Sequence, residues 1–181
     1  MMHIKTAPSL ALATVLALAA SMTEAAEPAT AATPDFYSVL TTGKAHLEFR
    51  YRLESVDQDP FSRDATASTL RSRLNYQTGE LRGFSALVEA DNVTVIGDDD
   101  AYNSTVNGVT TRPVIADPGY TEVNQAYLQY KSGSFAGLLG RQRITLDNQR
   151  FIGNVGWRQN EQTYDAVTLK SAAVPKTQLQ Y

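Results

Sequence analysis

The stretch Lys44-Ala45-His46-Leu47-Glu48-Phe49-Arg50-Tyr51-Arg52-Leu53-Glu54-Ser55 decides the fold of this chain. Its odd positions carry Ala45, Leu47, Phe49, Tyr51 and Leu53, and its even positions carry Lys44, His46, Glu48, Arg50, Arg52 and Glu54. Successive side chains of a strand point to opposite faces, so this segment has one apolar face and one charged face. At a helical period of 3.6 the same residues would scatter around the whole circumference. The segment reads as a strand.

The same period of two recurs along the chain. Thr69 to Gln77 sets Leu70, Leu74 and Tyr76 against Arg71, Arg73, Asn75 and Gln77. Phe84 to Asp91 sets Phe84, Ala86, Val88 and Ala90 against Ser85, Glu89 and Asp91, with Leu87 out of pattern. Further strands are read at Val123 to Tyr130, from about Phe135 to Thr145 and at Tyr164 to Lys170, and Gln178 to Tyr181 begins a seventh. The connections around Gly79 and Gly133 are short, whereas Val56 to Ala67, Asn92 to Glu122 and Leu146 to Gln162 are long. Strict alternation of short and long connections is the habit of outer-membrane barrels, with short periplasmic turns and long extracellular loops. Tyr76, Phe84, Tyr130 and Phe135 flank the short turns, where such barrels carry an aromatic girdle. The expected fold is all-β, the N-terminal portion of an antiparallel transmembrane β-barrel, with about six to seven of its strands.

Composition narrows the function. The 181 residues hold 16 Lys and Arg against 19 Asp and Glu, a net charge of -3, which gives no electrostatic basis for binding nucleic acid. There is no Cys, which excludes a disulfide framework, a thiolate zinc site and a cysteine nucleophile. Lys5 followed by the apolar run Leu10 to Ala20 reads as a signal peptide over residues 1–25, since the run is too short to span a bilayer. Residues 26–43 read as a lead-in linker containing the Pro- and Ala-rich stretch Glu27 to Pro34, and residues 44–181 as the barrel portion. Six strands and part of another are fewer than the eight of the smallest closed single-chain barrel, so a longer parent chain of about 16 to 18 strands is expected.

Cost then assigns the faces. An Arg or Lys facing lipid near the midplane costs about 2 to 4 kcal/mol, whereas a wet lumen tolerates charge. Arg50, Arg52, Arg71, Arg73, Arg141 and Arg143 are therefore expected to point inward as pore-lining residues, with Lys44, His46 and Lys170 on the same parity. Such a wall has two readings. Guanidinium groups line a path for anionic solutes, or they pair with Glu48, Glu54 and Glu89 on neighbouring strands and stiffen the wall. Arg141 and Arg143, with fewer acidic neighbours on the adjoining strands, are the better candidates for solute contact.

The segment Gly140 to Asp165 (GRQRITLDNQRFIGNVGWRQNEQTYD), with its Gly-Arg-Gln-Arg start and its Trp-Arg-Gln run, resembles outer-membrane porins of the alginate-export family. The general pattern extends over roughly Phe49 to Tyr181. The resemblance implies a large monomeric antiparallel barrel in outer-membrane lipid, passing a uronate polymer such as alginate, or similar anionic or saccharide solutes, by passive diffusion. It implies that Arg141 and Arg143 line the pore, and that Arg150 and Arg158 belong to a loop folding inward as a constriction.

Two other classes compete. A secreted β-sandwich binding protein also alternates, with its apolar face buried and its charged face solvated. An outer-membrane barrel enzyme would use His46 as a base, yet a single His in a charged ladder is more often structural. Asp98-Asp99-Asp100 lacks the carboxylate spacing of an EF-type calcium loop and reads as solvated charge. No cofactor, metal site or catalytic residue is expected, and the function read from the sequence is a channel rather than an enzyme.

Overall fold

A computed structural model describes residues 35–181 of the chain. The expected signal segment and the linker as far as Pro34 lie outside the described residues. Seven strands form one antiparallel meander, each bonded to the next in chain order: β1 (Lys44–Val56), β2 (Ala65–Gln77), β3 (Phe84–Val95), β4 (Thr121–Ser132), β5 (Phe135–Gln142), β6 (Tyr164–Ser171) and β7 (Leu179–Gln180). A six-residue helix, α1 (Phe36–Thr41), precedes β1. The fold is all-β, and its short and long connections alternate as the sequence pattern requires.

Register carries the two faces across the sheet. Leu47 stands opposite Leu74 and Tyr51 opposite Leu70, while Glu48 stands opposite Arg73 and Arg50 opposite Arg71. Leu74 in turn faces Ala90, and Arg73 faces Asp91. A slip of one residue would move every one of these side chains to the other face.

The distribution of burial is the reverse of a water-soluble sheet. On the apolar face Leu53 is 64% exposed, Leu139 59% and Val167 60%, whereas Arg71 on the polar face is 2% exposed and Asp91 1%. A sandwich in water buries its apolar face, and among the described residues no second sheet covers these side chains. A sheet that hides its charges and bares its aliphatic side chains is matched to a hydrocarbon solvent. The secreted-sandwich expectation does not hold. Phe84 and Tyr130 meet at the short-turn end with ring centroids 4.6 Å apart, the start of the expected girdle.

Two strands are longer than their sequence pattern suggests. β2 begins at Ala65 and β3 runs on to Val95. In both extensions the pattern inverts: Ala65, Ala67 and Val93 are buried on the polar-face parity, and Thr66, Asn92 and Thr94 are exposed on the other. The long-loop end of the wall thus has water outside and packed loop inside, which removes the contrast on which a lipid-facing strand is recognised. Ala65 and Ala67 pack there with Tyr102 and Ile115 of the β3–β4 loop, flanked by Val56 and Val95.

The face assignment has a direct test. Val88→Arg, on the bare apolar face opposite the girdle residue Tyr76, is expected to lower folding stability in a bilayer by up to about 2 kcal/mol, since the cost of a lipid-facing cation falls from the midplane toward the interface. Gln129→Arg, next to the girdle residue Tyr130 and on the polar parity, is expected to change it little. Urea titration of protein folded into vesicles measures both, and equal losses would reverse the assignment.

Candidate functional site

The polar face gathers its charges on β1, β2 and β3, and begins with a conflict. Arg50 and Arg71 are directly opposite in the ladder, and like charges so placed repel. Arg71 is answered by Glu48 at 2.6 Å and by Glu161 at 3.3 Å. Arg50 donates to the carbonyl oxygens of Gly156, at 2.9 Å, and Arg158, and to Gln159 Oε1, also at 2.9 Å. These partners come from the β5–β6 loop, residues 143–163, whose second half lies on the polar face.

Two loop residues pin that segment. Gln159 is fully buried; its Nε2 donates to the carbonyls of Arg50 and Thr69, both at 3.1 Å, and to Thr69 Oγ1 at 3.0 Å, and its backbone N–H donates to Asp117 Oδ1 at 2.8 Å. Glu161 bridges Arg71, Arg73 at 2.9 Å and Arg143, and accepts from Asn154 Nδ2 at 3.2 Å. Burial by itself would raise the pKa of the Glu161 carboxyl, but the hydrogen bond from Arg143 and the charges of Arg73 and Arg143 outweigh it and hold the pKa down to about 2.

The network extends in both directions. Arg73 also makes a two-pronged pair with Asp91, at 2.7 and 2.6 Å, and lies 3.5 Å from Glu89. Glu89 accepts from Asn124 at 2.9 Å, from Gln125 at 3.3 Å and from Arg143. Asn124 reaches this face because β4 bulges against β3 between Glu89 and Ala90. At the long-loop end Asp117, from the β3–β4 loop, lies 3.3 Å from Arg52 and 3.6 Å from Arg158, and Glu54 pairs with both at 2.6 and 3.0 Å. The Arg158 guanidinium sits 4.1 Å from the Trp157 ring centroid. Buried pairs of this kind lose about 3 to 5 kcal/mol when one partner is removed, because the other charge is then stranded.

The structure therefore sorts the sequence-derived residues. Arg50, Arg52, Arg71, Arg73, Arg143 and Arg158 meet in one network on the polar face. Arg141 does not: it stands opposite Ala126 and Asp165 on the apolar face, paired with Asp165 at 2.9 Å and 44% exposed. Phe135, Gly137 and Leu139 share its parity, while the polar-face parity of β5 is Ala136, Leu138, Gly140 and Gln142. That parity carries no charge, so the charge pattern points to the wrong face. Past Gln142 the chain leaves the ladder and Arg143 turns back to the polar face. Arg143 finds its acidic partners off the adjoining strands, in Glu89 of β3 and Glu161 of the loop. Arg150 stays exposed, its guanidinium 5.5 Å from the Phe151 ring. Only the Arg158 half of that loop lies on the wall.

Three members of the network had no signal in strand patterning. Asp117, Gln159 and Glu161 are loop residues, and only Glu161 had a cue, as an acid within an Arg-rich loop. Asp98 to Asp100 form a capped turn, with Asp98 Oδ1 accepting from the Asp100 N–H at 2.9 Å, and no metal-binding group of carboxylates and histidines occurs among the described residues.

Two measurements check this arrangement. Arg143→Glu is expected to shift the ion selectivity of the full-length protein toward cations, and Arg141→Glu to leave it unchanged; equal effects would return Arg141 to the polar face. The lowered pKa of Glu161 gives a stabilisation that is complete above about 4.5 and is lost as pH falls toward 2. Trp157 fluorescence is expected to report loop release over that window, and Glu161→Gln to remove its dependence on this titration.

Comparison with protein-family models matches residues 44–179 to the family described as alginate export. Comparison with curated proteins and with solved structures returns no match. A family match from the first residue of β1 into β7, on a sheet with a bare apolar face and a buried ionic one, identifies the chain as a member of the alginate-export family of outer-membrane proteins.

Proposed function

We infer that the polar face lines a water-filled path through the outer membrane, along which anionic saccharides, a uronate polymer foremost, diffuse passively outward. One observation carries the reading. The arginines of the wall are matched by carboxylates or, at Arg50, by carbonyl oxygens and the Gln159 amide, but Lys44, Lys131 and Lys170 share the polar-face parity and make no ion pair among the described residues.

These lysines lie toward the short-turn ends of their strands. Lys131 and Lys170 both stand opposite Ala136, one on either side of β5, so two compact ammonium charges flank an alanine. Lys44 opens β1 with His46 beside it on the same parity. In a barrel the short turns are periplasmic. The surplus positive charge therefore sits where an exported polyanion enters, and the neutralised arginine network lies beyond it under the two loops. Charges placed along a pore set its selectivity.

An enzymatic use of His46 gains nothing from this arrangement, because it stands in register with Asn75 between Lys44 and Glu48, away from the loop cluster.

The test is conductance. Full-length protein in a planar bilayer is expected to give ohmic, anion-leaning currents that oligouronates on the short-turn side block in a dose-dependent way. Lys131→Glu with Lys170→Glu is expected to reduce both the anion preference and the block. Cation selectivity of the unaltered protein, or indifference to oligouronates, would overturn the reading.

A further inference from the structure

Helix α1 stands at the short-turn end, and its sequence, Phe36-Tyr37-Ser38-Val39-Leu40-Thr41, lies within the segment expected to be a linker. It is held by polar contacts. Asp35 caps it by accepting from the Ser38 N–H at 2.7 Å, and the Thr42 hydroxyl donates to the Ser38 carbonyl at 2.7 Å. The Gly79 N–H, in the β2–β3 turn, donates to the Val39 carbonyl at 2.8 Å, and the Tyr76 hydroxyl donates to the Leu40 carbonyl. Those bonds tie the helix to a turn of the sheet and to a girdle tyrosine.

What the helix does not do is bury its apolar side chains. Only Val39 is buried; Phe36 and Tyr37 are each 74% exposed and Leu40 is 43% exposed. A single helical turn is far below the length at which a helix holds itself together in water. Its anchorage is therefore given by the sheet, and two large aromatic side chains are held outward by it.

The side of the sheet is set by Tyr76. It stands opposite Ala45 and Val88, on the same parity as the bare Leu47, Leu74 and Val88. A Cβ at Gly43, between α1 and β1, would collide with the Tyr76 ring, so the chain passes against that ring on its way from helix to strand. The helix thus joins the edge of the apolar face, next to the girdle and at the height of the short turns. Aromatic side chains there occupy the boundary between headgroups and acyl chains.

We propose that α1 is an interfacial anchor: Phe36, Tyr37 and Leu40 enter the periplasmic leaflet of the outer membrane and fix the height of β1 in the bilayer. The partner is phospholipid, recognised through apolar burial, since α1 carries no basic residue to seek a headgroup phosphate. The proposal rests on the reading of the sheet as membrane-spanning.

These 181 residues hold no cysteine, so with any cysteine elsewhere in the full-length protein changed to serine, single nitroxide labels report cleanly. Full-length protein is reconstituted in phosphatidylcholine and phosphatidylglycerol vesicles with a label at Tyr37→Cys, at Val167→Cys on the apolar face, or at Val106→Cys in the exposed β3–β4 loop. Collision with oxygen, which concentrates in lipid, is compared with collision with a water-soluble nickel chelate. Residue 37 is expected to show the oxygen preference of residue 167, opposite to that of residue 106. A nickel preference at 37 with an oxygen preference at 167 would overturn the anchor and leave the barrel reading standing. Shielding of 37 from both reagents would also overturn it, by showing that protein rather than lipid covers the helix. A nickel preference at 167 would overturn the membrane-spanning reading and the anchor with it.

Discussion

Arg50 and Arg71 stand opposite each other on adjacent strands, and two cations in that relation repel unless groups of opposite sign come between them. The sheet supplies only part of the answer, through Glu48. The rest is brought by residues 156–161 of the β5–β6 loop as carbonyl oxygens, the Gln159 side chain and the Glu161 carboxylate. Because these partners also hold Asp117, Arg73 and Arg143, the groups that answer the repulsion on one rung tie two loops to the first two strands. The wall and its loop cover are one electrostatic unit, and the loop position follows from the wall charges.

The choice of solvent on each face explains why this unit is tolerable. A buried guanidinium is costly in an aliphatic core, where nothing compensates its lost hydration. Here the aliphatic side chains of the strand centres are on the other face, and apart from the small cluster of Ala65, Ala67, Tyr102 and Ile115 the groups buried around the arginines are carboxylates, amides and carbonyls. The largest fully buried side chains include Gln159, Asn124, Thr69 and Asp91. The same partition explains Arg141 and Asp165. They lie on the outer face just past Leu139 and Val167, where the apolar parity of β5 and β6 ends, and a paired, exposed Arg and Asp suits the transition from hydrocarbon to water.

Charge compensation also separates two regions of the wall with different roles. Near the loops every arginine of the network has an acidic or carbonyl partner, so that region contributes shape and rigidity. Toward the short turns Lys44, Lys131 and Lys170 have no ion-pair partner among the described residues, and in the proposed reading they contribute field. Lysine suits the proposed second task, since a flexible, strongly hydrated ammonium would interact with an anionic solute without locking it in a two-pronged pair.

Much of this was legible beforehand in particular residues. The alternation at Lys44 to Ser55 determined the strand and its two faces, because a period of two is that of a strand and the charged face had to avoid lipid. The short turns at Gly79 and Gly133 determined the meander, and the run from Gly140 to Asp165 carried the family resemblance. Arg141 was misplaced because on β5 the polar-face parity holds Ala136, Leu138 and Gly140, so charge pointed to the wrong side, whereas Phe135 and Leu139 pointed to the right one. The helix at Phe36 to Thr41 was missed because a single turn has no period to detect. Strand periodicity is a local property and is written into consecutive residues. The pairing of Glu161 with three arginines, of Gln159 with the β1 and β2 carbonyls, and of α1 with Tyr76 joins residues far apart in the chain, and only the tertiary structure decides which distant groups come within hydrogen-bonding reach.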